Sequence, residues 1–381
     1  MRILAAIAGL ALLSIILWDA FETIILPRRV IRQFRLTRAF YRYSWTPWSA
    51  LIRRMSPGKR RDALLGYFGP LSLLLLFGIW FAGLILSFGL LHWAAGSALN
   101  LVGQHPSFTT DLYLSGTTFF TLGLGDVAPR SALARLITVV ESGTGFGLLA
   151  IVISYLPVLY GAFSARETNI SLMDARAGSP PTAAELLRRH AQPEQRASLI
   201  EYLRDWESWS AQLMESHLSY PVLCLFRSQH SNQSWLAALA TVLDASAFLA
   251  AHAEGELQWQ AQLTFAIARH AVVDLSQVIS SPPLAPAQDR FPAAESEALK
   301  ASLLAAGMPL TRLLDDERFR ELRQMYEPYV NGLAGQFFMP LPPWSASQQL
   351  ADNWQRSAWN RIPRSVRRLQ PSAIIKGEDS E

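Results

Sequence analysis

The run Thr121-Leu122-Gly123-Leu124-Gly125-Asp126 offers main-chain chemistry. A bare cation needs a cage of oxygens in place of its water, and backbone carbonyls form one when successive residues turn the same way. Side chains usually forbid those conformations. Gly enters positive φ without steric cost, so Gly123 and Gly125 free the loop to turn. Leu122 and Leu124 then contribute carbonyls, their side chains expected to point back into the protein. Thr121 can add its hydroxyl, and Asp126 a carboxylate, which raises the local cation concentration.

Such a loop works only if elements on both sides hold it. Residues 71–91 carry no charge, and residues 142–165 carry none either. About 20 apolar residues cross a bilayer, so both read as spans, the second beginning near Leu133. Residues 3–26 are apolar apart from Asp19 and Glu22 and read as a first span. A signal peptide fits this stretch poorly, because the apolar run is long and no small-x-small cleavage site follows. Residues 109–120 are too short and polar to cross. Between two spans they read as a re-entrant half-helix, tolerated at membrane depth when buried in protein or lining water. Its C-terminal dipole end points to the membrane centre and favours a cation there.

The loops set the orientation. Residues 27–61 hold eleven Arg and Lys and no acid, whereas residues 92–110 hold none of either. The positive-inside rule places 27–61 in the cytoplasm, the N-terminus and the 92–131 loop outside, and everything past about 166 inside. Residues 1–166 carry 15 basic and 6 acidic side chains, against 19 and 24 in 167–381. The basic character therefore belongs to the membrane half and is no argument for nucleic acid. Within 27–61, Arg alternates with Phe34, Phe40, Tyr41, Tyr43, Trp45 and Trp48, which suits a helix in the headgroup layer on anionic lipid. Asp19 and Glu22 share a helix face, with Arg28 or Arg29 as expected partners. The single cysteine, Cys224, excludes an intrachain disulfide and, among apolar neighbours, reads as core.

Residues 121–126 resemble the selectivity filter of potassium channels, Thr-Val-Gly-Tyr-Gly-Asp, matching at Thr121, Gly123, Gly125 and Asp126. Residues 71–166 resemble that family's two-helix pore module. The resemblance implies a passive, potassium-selective channel with no cofactor beyond the transported K⁺. One loop supplies a quarter of a filter, so it also implies a homotetramer with cyclic symmetry. The pattern departs at Leu124, where the family usually has an aromatic that packs behind the filter and holds its diameter. A non-selective or sodium-permeable channel is thus one alternative, and a non-conducting membrane sensor or scaffold another. By position, Gly145 matches the family's hinge glycine on the inner helix; close helix packing is the competing explanation. Pro157 removes a backbone hydrogen bond and predicts a kink near an inner gate. Glu141 is an ionisable group inside a span, which normally faces water or a partner. It either supports the filter from behind or faces the cavity and attracts cations.

Past a linker at 177–182 the pattern is helical, for example at 184–189, 198–216, 235–253, 256–279 and 294–306, with breaks at 228–234, 280–290 and 338–343. No Gly-x-Gly-x-x-Gly follows a strand, so a nucleotide-binding regulatory domain is not expected. His252 and Glu256, one turn apart, with His270 further on, give only weak grounds for a metal site. A polar-aromatic cluster, Tyr220-Pro221 with residues 230–235, could hold a small ligand, although capping by Ser231 or Asn232 explains much of it. The tail from Arg361 to Glu381 is expected to be loose. The expected architecture is all-α: an N-terminal transmembrane helix (1–26), a basic interfacial linker (27–66), a pore module (67–166) and an α-helical cytoplasmic domain (167–381). Together these place the chain in a membrane as a multi-pass protein, expected in a bacterial inner membrane, and as no enzyme.

Overall fold

The computed structural model describes residues 1–26, 35–97, 99–100, 107–229, 233–286, 288–311 and 315–345. Among them the protein is nearly all-α. The one sheet is an antiparallel pair, β1 (Leu99–Asn100) with β2 (Ala128–Pro129), Leu99 opposite Pro129. The chain divides into two units, Met1–Gly161 and Ala162–Glu381.

In the first unit, α1 (Arg2–Ala20) continues as a π-helical turn, Phe21–Ile25, followed by α2 (Leu36–Arg53), α3 (Lys59–Ala94), α4 (Phe108–Phe119) and the start of α5 (Ala132–Ala177). The helical stretches Arg2–Ile25, α3 and α5 are long and apolar enough to cross a membrane. Small residues let α1 approach α3. A Cβ on Gly9 would meet the Ser87 carbonyl at 2.9 Å, and Gly83 receives Ile16. Ser87 Oγ donates to the Gly9 carbonyl at 2.8 Å. Without a hydrophobic drive between helices in lipid, such close packing and hydrogen bonds hold them together.

Asp19 lies buried near the end of α1. It accepts from the Thr37 N–H at 3.1 Å, the Thr37 hydroxyl at 2.5 Å and Trp80 Nε1 at 3.1 Å. Helix α2 has no side-chain cap of its own at Arg35. Asp19 therefore supplies, from another helix, an acceptor that an orphan first-turn N–H needs. Glu22 accepts from Trp18 Nε1 at 2.7 Å and pairs with Arg35 at 3.4 Å. Its expected partners Arg28 and Arg29 lie outside the described residues, as does the stretch 27–34 of the basic linker.

The second unit holds the end of α5, then α6 (Ala183–Arg189), α7 (Arg196–Ser219), α8 (Trp235–His252), α9 (Gly255–Ile279), α10 (Ala293–Ala305), α11 (Asp316–Gln324) and α12 (Glu327–Phe337). Every residue of α8 is buried. By length and composition α8 also qualifies as a membrane span. Its own chain encloses it on all sides, however, which is where a helix apolar all round belongs in a folded core. It has no face left for lipid.

The second unit also holds α11 and α12, two helices that the sequence pattern does not delimit individually. In α11 only Phe319 and Leu322 are buried, among seven polar residues. In α12, Gly332 and Gly335 read as breakers. A Cβ on Gly332 would sit 2.4 Å from the Pro282 carbonyl, so this glycine serves close approach. Helix α8 is capped by Ser234, whose Oγ accepts from the Ala237 N–H at 3.0 Å. The expected caps Ser231 and Asn232, like the tail 361–381, lie outside the described residues.

Candidate functional site

Helix α4 aims at the loop and dictates how it begins. Ser107 caps its start, the side chain accepting from the Thr110 N–H. At its end the Leu122 N–H bonds the Thr117 carbonyl at 2.7 Å, and the Thr121 N–H bonds the Thr118 carbonyl at 3.0 Å. These are the two crossed bonds of a Schellman ending, which needs a left-handed residue after the cap and usually takes Gly there. Here that residue is Thr121, with φ of 57°. Positive φ on a β-branched residue is a true outlier. Strain of this kind costs on the order of 1–3 kcal/mol and concentrates at functional sites.

The left-handed turn recurs at every second residue. Gly123 has φ of 56° and Gly125 of 80°, whereas Leu122 and Leu124 do not have positive φ. Alternation of this kind gathers successive N–H groups on one side of a strand, which leaves the carbonyls on the other. Glycine relieves the strain at two of the three turns. The sequence reading anticipated those two and missed Thr121.

Asp126 at the loop's C-terminal end accepts from the Tyr113 hydroxyl of α4 at 3.0 Å. Strand β2 follows, and its pairing with β1 ties the loop's exit to the segment after α3. Leu122 and Leu124 are 61% and 64% exposed within one chain, so the described residues of that chain cover only part of them. Much of α5 is equally bare, with Val139, Phe146 and Ile153 about two-thirds exposed or more.

The other face of α5 packs inward. A Cβ on Gly145 would meet the Phe119 carbonyl at 2.3 Å, so Gly145 is where the inner helix touches the end of α4. Gly143 and Gly147 have open space instead. This close approach is a packing reason for a glycine at position 145. Pro157 lies inside an unbroken α5.

Glu141 has no exposed surface, which overturns the cavity-facing alternative. It sits against Ser115 of α4 and 3.4 Å from His92 Nε2 of α3. Asp111, one turn before Ser115, is also fully buried and accepts from the Ser97 hydroxyl at 2.6 Å. His92, Ser97, Asp111, Tyr113 and Ser115 were not singled out from sequence. Two signals were available: an ionisable residue near the end of an uncharged span, and Asp111 and Ser115 at i, i+4 on one face of α4.

Elsewhere the candidate side chains are occupied. His252 places Nδ1 3.0 Å from the Phe248 carbonyl and Nε2 3.2 Å from Asp316, and His270 pairs with Asp274 at 3.3 Å. Cys224 is buried, and burial pushes its thiol up to about 12. Beside it Arg166, near the C-terminal end of α5, is also buried. It donates to the Leu223 carbonyl at 3.0 Å, the Phe226 carbonyl at 2.9 Å and His217 Nε2 at 3.0 Å. Burial, then the neighbouring guanidinium, hold His217 well below the usual imidazole range, so it stays neutral and accepts.

Residues 73–159 match the model of a family described as "Ion channel". This stretch contains most of α3, all of α4, the loop and the first part of α5, so the chain carries an ion-channel domain of the potassium-channel type. Over a longer stretch the chain is similar to an uncharacterized membrane protein, YdjJ, of Bacillus subtilis (strain 168). The two are 24% identical over 265 residues, covering 69% of this chain and 76% of the relative. No solved structure matches. The channel domain, the apolar helices and this relative together make the chain an integral membrane protein.

Proposed function

We propose that the protein is a passive potassium-selective channel, a homotetramer whose four Thr121–Gly125 loops surround one axis. The observation carrying this reading is the left-handed turn at Thr121, Gly123 and Gly125, each separated by one leucine. That alternation offers consecutive carbonyls to one side, and a ring of backbone carbonyls replaces the hydration shell of potassium. The bare side chains of Leu122, Leu124 and the outer face of α5 support assembly, since further copies of the chain would cover what one leaves open. Thr121, Leu122, Gly123, Leu124 and Gly125 bind the ion, and Asp126, steadied by Tyr113, draws cations to the mouth. The basic linker and the preceding apolar helix favour a bacterial inner membrane, with the N-terminus outside and residues 167–381 in the cytoplasm. Basic residues of 27–61 contact lipid headgroups.

Leu124 favours a second reading, a cation channel admitting Na⁺ as well. A leucine left 64% exposed by its own chain fixes the filter's width less firmly than an aromatic wedge. Purified protein in liposomes, given K⁺ and Na⁺ gradients in turn, separates the readings. Potassium flux well above sodium flux supports the first, equal fluxes support the second, and no flux of either ion refutes both.

A further inference from the structure

Proton counting around Ser115 assigns Glu141 a specific state. Ser115 Oγ lies 2.7 Å from the Ile85 carbonyl of α3. It also lies in close contact with one carboxyl oxygen of Glu141. A hydroxyl has a single proton to give, and a carbonyl has none. Of the two contacts, only the one with Glu141 can draw its proton from the partner, which leaves the Ser115 proton for the Ile85 carbonyl. The contact with Glu141 then holds a proton only if Glu141 supplies it. Were Glu141 ionised, Ser115 would face two acceptors with one proton, and one pair of oxygens would repel each other where no water screens them.

His92 points the same way. Its Nε2 lies 3.4 Å from the second Glu141 oxygen, while its Nδ1 is buried with no partner. A neutral ring protonated at Nε2 donates to Glu141 and leaves only a lone pair at Nδ1. An imidazolium would leave a buried, unpartnered N–H, which costs more. Asp111, one turn along α4, is a second buried carboxyl with one oxygen unpartnered. An ionised Glu141 would put its charge beside that group as well.

We propose that Glu141 works as a neutral carboxylic acid, donating its proton to Ser115, a strut that fixes the pore helix between outer and inner helices. The placement is specific. Ser115 meets Glu141 and Phe119 meets Gly145, so α4 and α5 step together by four residues along one seam. That seam ends where Thr121 begins the loop. Glu141 is thus a positioning residue acting through Ser115. This inference rests on the channel reading for its consequence, though not for the protonation itself.

The test uses full-length protein reconstituted in liposomes, comparing Glu141→Gln and Glu141→Ala with the unaltered chain. An amide can donate to Ser115 and accept from His92, so Glu141→Gln keeps K⁺ flux and K⁺/Na⁺ preference within about twofold, whereas Glu141→Ala loses about tenfold or its preference. Raising the pH lowers flux in the unaltered protein and leaves Glu141→Gln flat. A Gln variant as impaired as Ala, or the same alkaline profile in both, overturns the proposal. Infrared difference spectra of unaltered protein minus Glu141→Gln at neutral pH read the proton directly. A protonated-carboxyl stretch supports the strut, and a carboxylate band refutes it, whether or not the protein conducts.

Discussion

The loop at 121–126 and helix α8 are opposites within one chain. Every side chain of α8 is enclosed by its own polypeptide, and its polar groups are met. Asp244 accepts two N–H groups of Arg290, at 2.8 and 3.1 Å, and the Tyr326 hydroxyl at 2.5 Å. The loop is strained at Thr121 and bare at Leu122 and Leu124. A core that finishes its own contacts specifies a fold. A segment left unfinished, under strain that neighbouring elements hold in place, is where the proposed channel would meet an ion and further copies of itself.

The sharpest way to break this contrast is Gly123→Ala. Space for the methyl exists, yet φ of 56° is left-handed, and a side chain there costs about 1–2 kcal/mol in each chain. Potassium flux in liposomes should fall at least about tenfold on that basis, with the apparent size in detergent unchanged. Normal flux from this variant would mean the left-handed turn does not matter.

Gly145→Ala comes next. Its Cβ would meet backbone, not a movable side chain, at 2.3 Å. Overpacking of this kind costs about 1–3 kcal/mol, so the midpoint of thermal unfolding should drop. Gly143→Ala, with open space around it, should lose much less. Equal losses at the two positions would show that helix propensity, not the α4–α5 contact, governs them.

Asp19→Ala leaves the Thr37 N–H, the Thr37 hydroxyl and Trp80 Nε1 buried without their acceptor. Each such orphan costs about 1–3 kcal/mol, less whatever water recovers. The midpoint of thermal unfolding should drop, while potassium flux in liposomes persists at lower yield.

The smallest effect is a titration. His217 is neutral in the folded second unit because burial holds its protonation well below 6.5. An unfolded chain takes up that proton near pH 6.5, so the unfolded state binds more protons and stability rises with pH. The contribution is complete above about pH 6.5 and is lost as pH falls below it towards the depressed folded value. Denaturant unfolding of the full chain at pH 7.5 and pH 5.5 should show the drop, reduced in His217→Gln. A flat profile would mean that Arg166 and His217 do not make this contact in solution.

Sequence alone went far where physics is local. Hydropathy over some 20 residues sets a span, whatever it packs against. Gly-x-Gly announces left-handed backbone wherever it lies. Accordingly α4 and five helices of the second unit were legible within about three residues, and the apolar parts of α3 and α5 were found, although α3 begins at Lys59, well before the span at 71–91, and α5 runs on to Ala177, well past residue 165. The pattern could not give α11, which has too few apolar residues to show a period, or α12, whose Gly332 looks like a breaker until Pro282 is seen against it.

The partners of buried charges belonged wholly to the tertiary structure. Asp19 reaches Thr37 and Trp80 across three helices, and Glu141 meets Ser115 and His92 from residues 26 and 49 positions away. One-dimensional order holds no record of such distances. The amino-acid order settled which backbone could turn left-handed and which stretches could enter lipid. Only the folded packing decided that Glu141 faces protein and not the cavity, because a charge's surroundings come from whichever helices close over it.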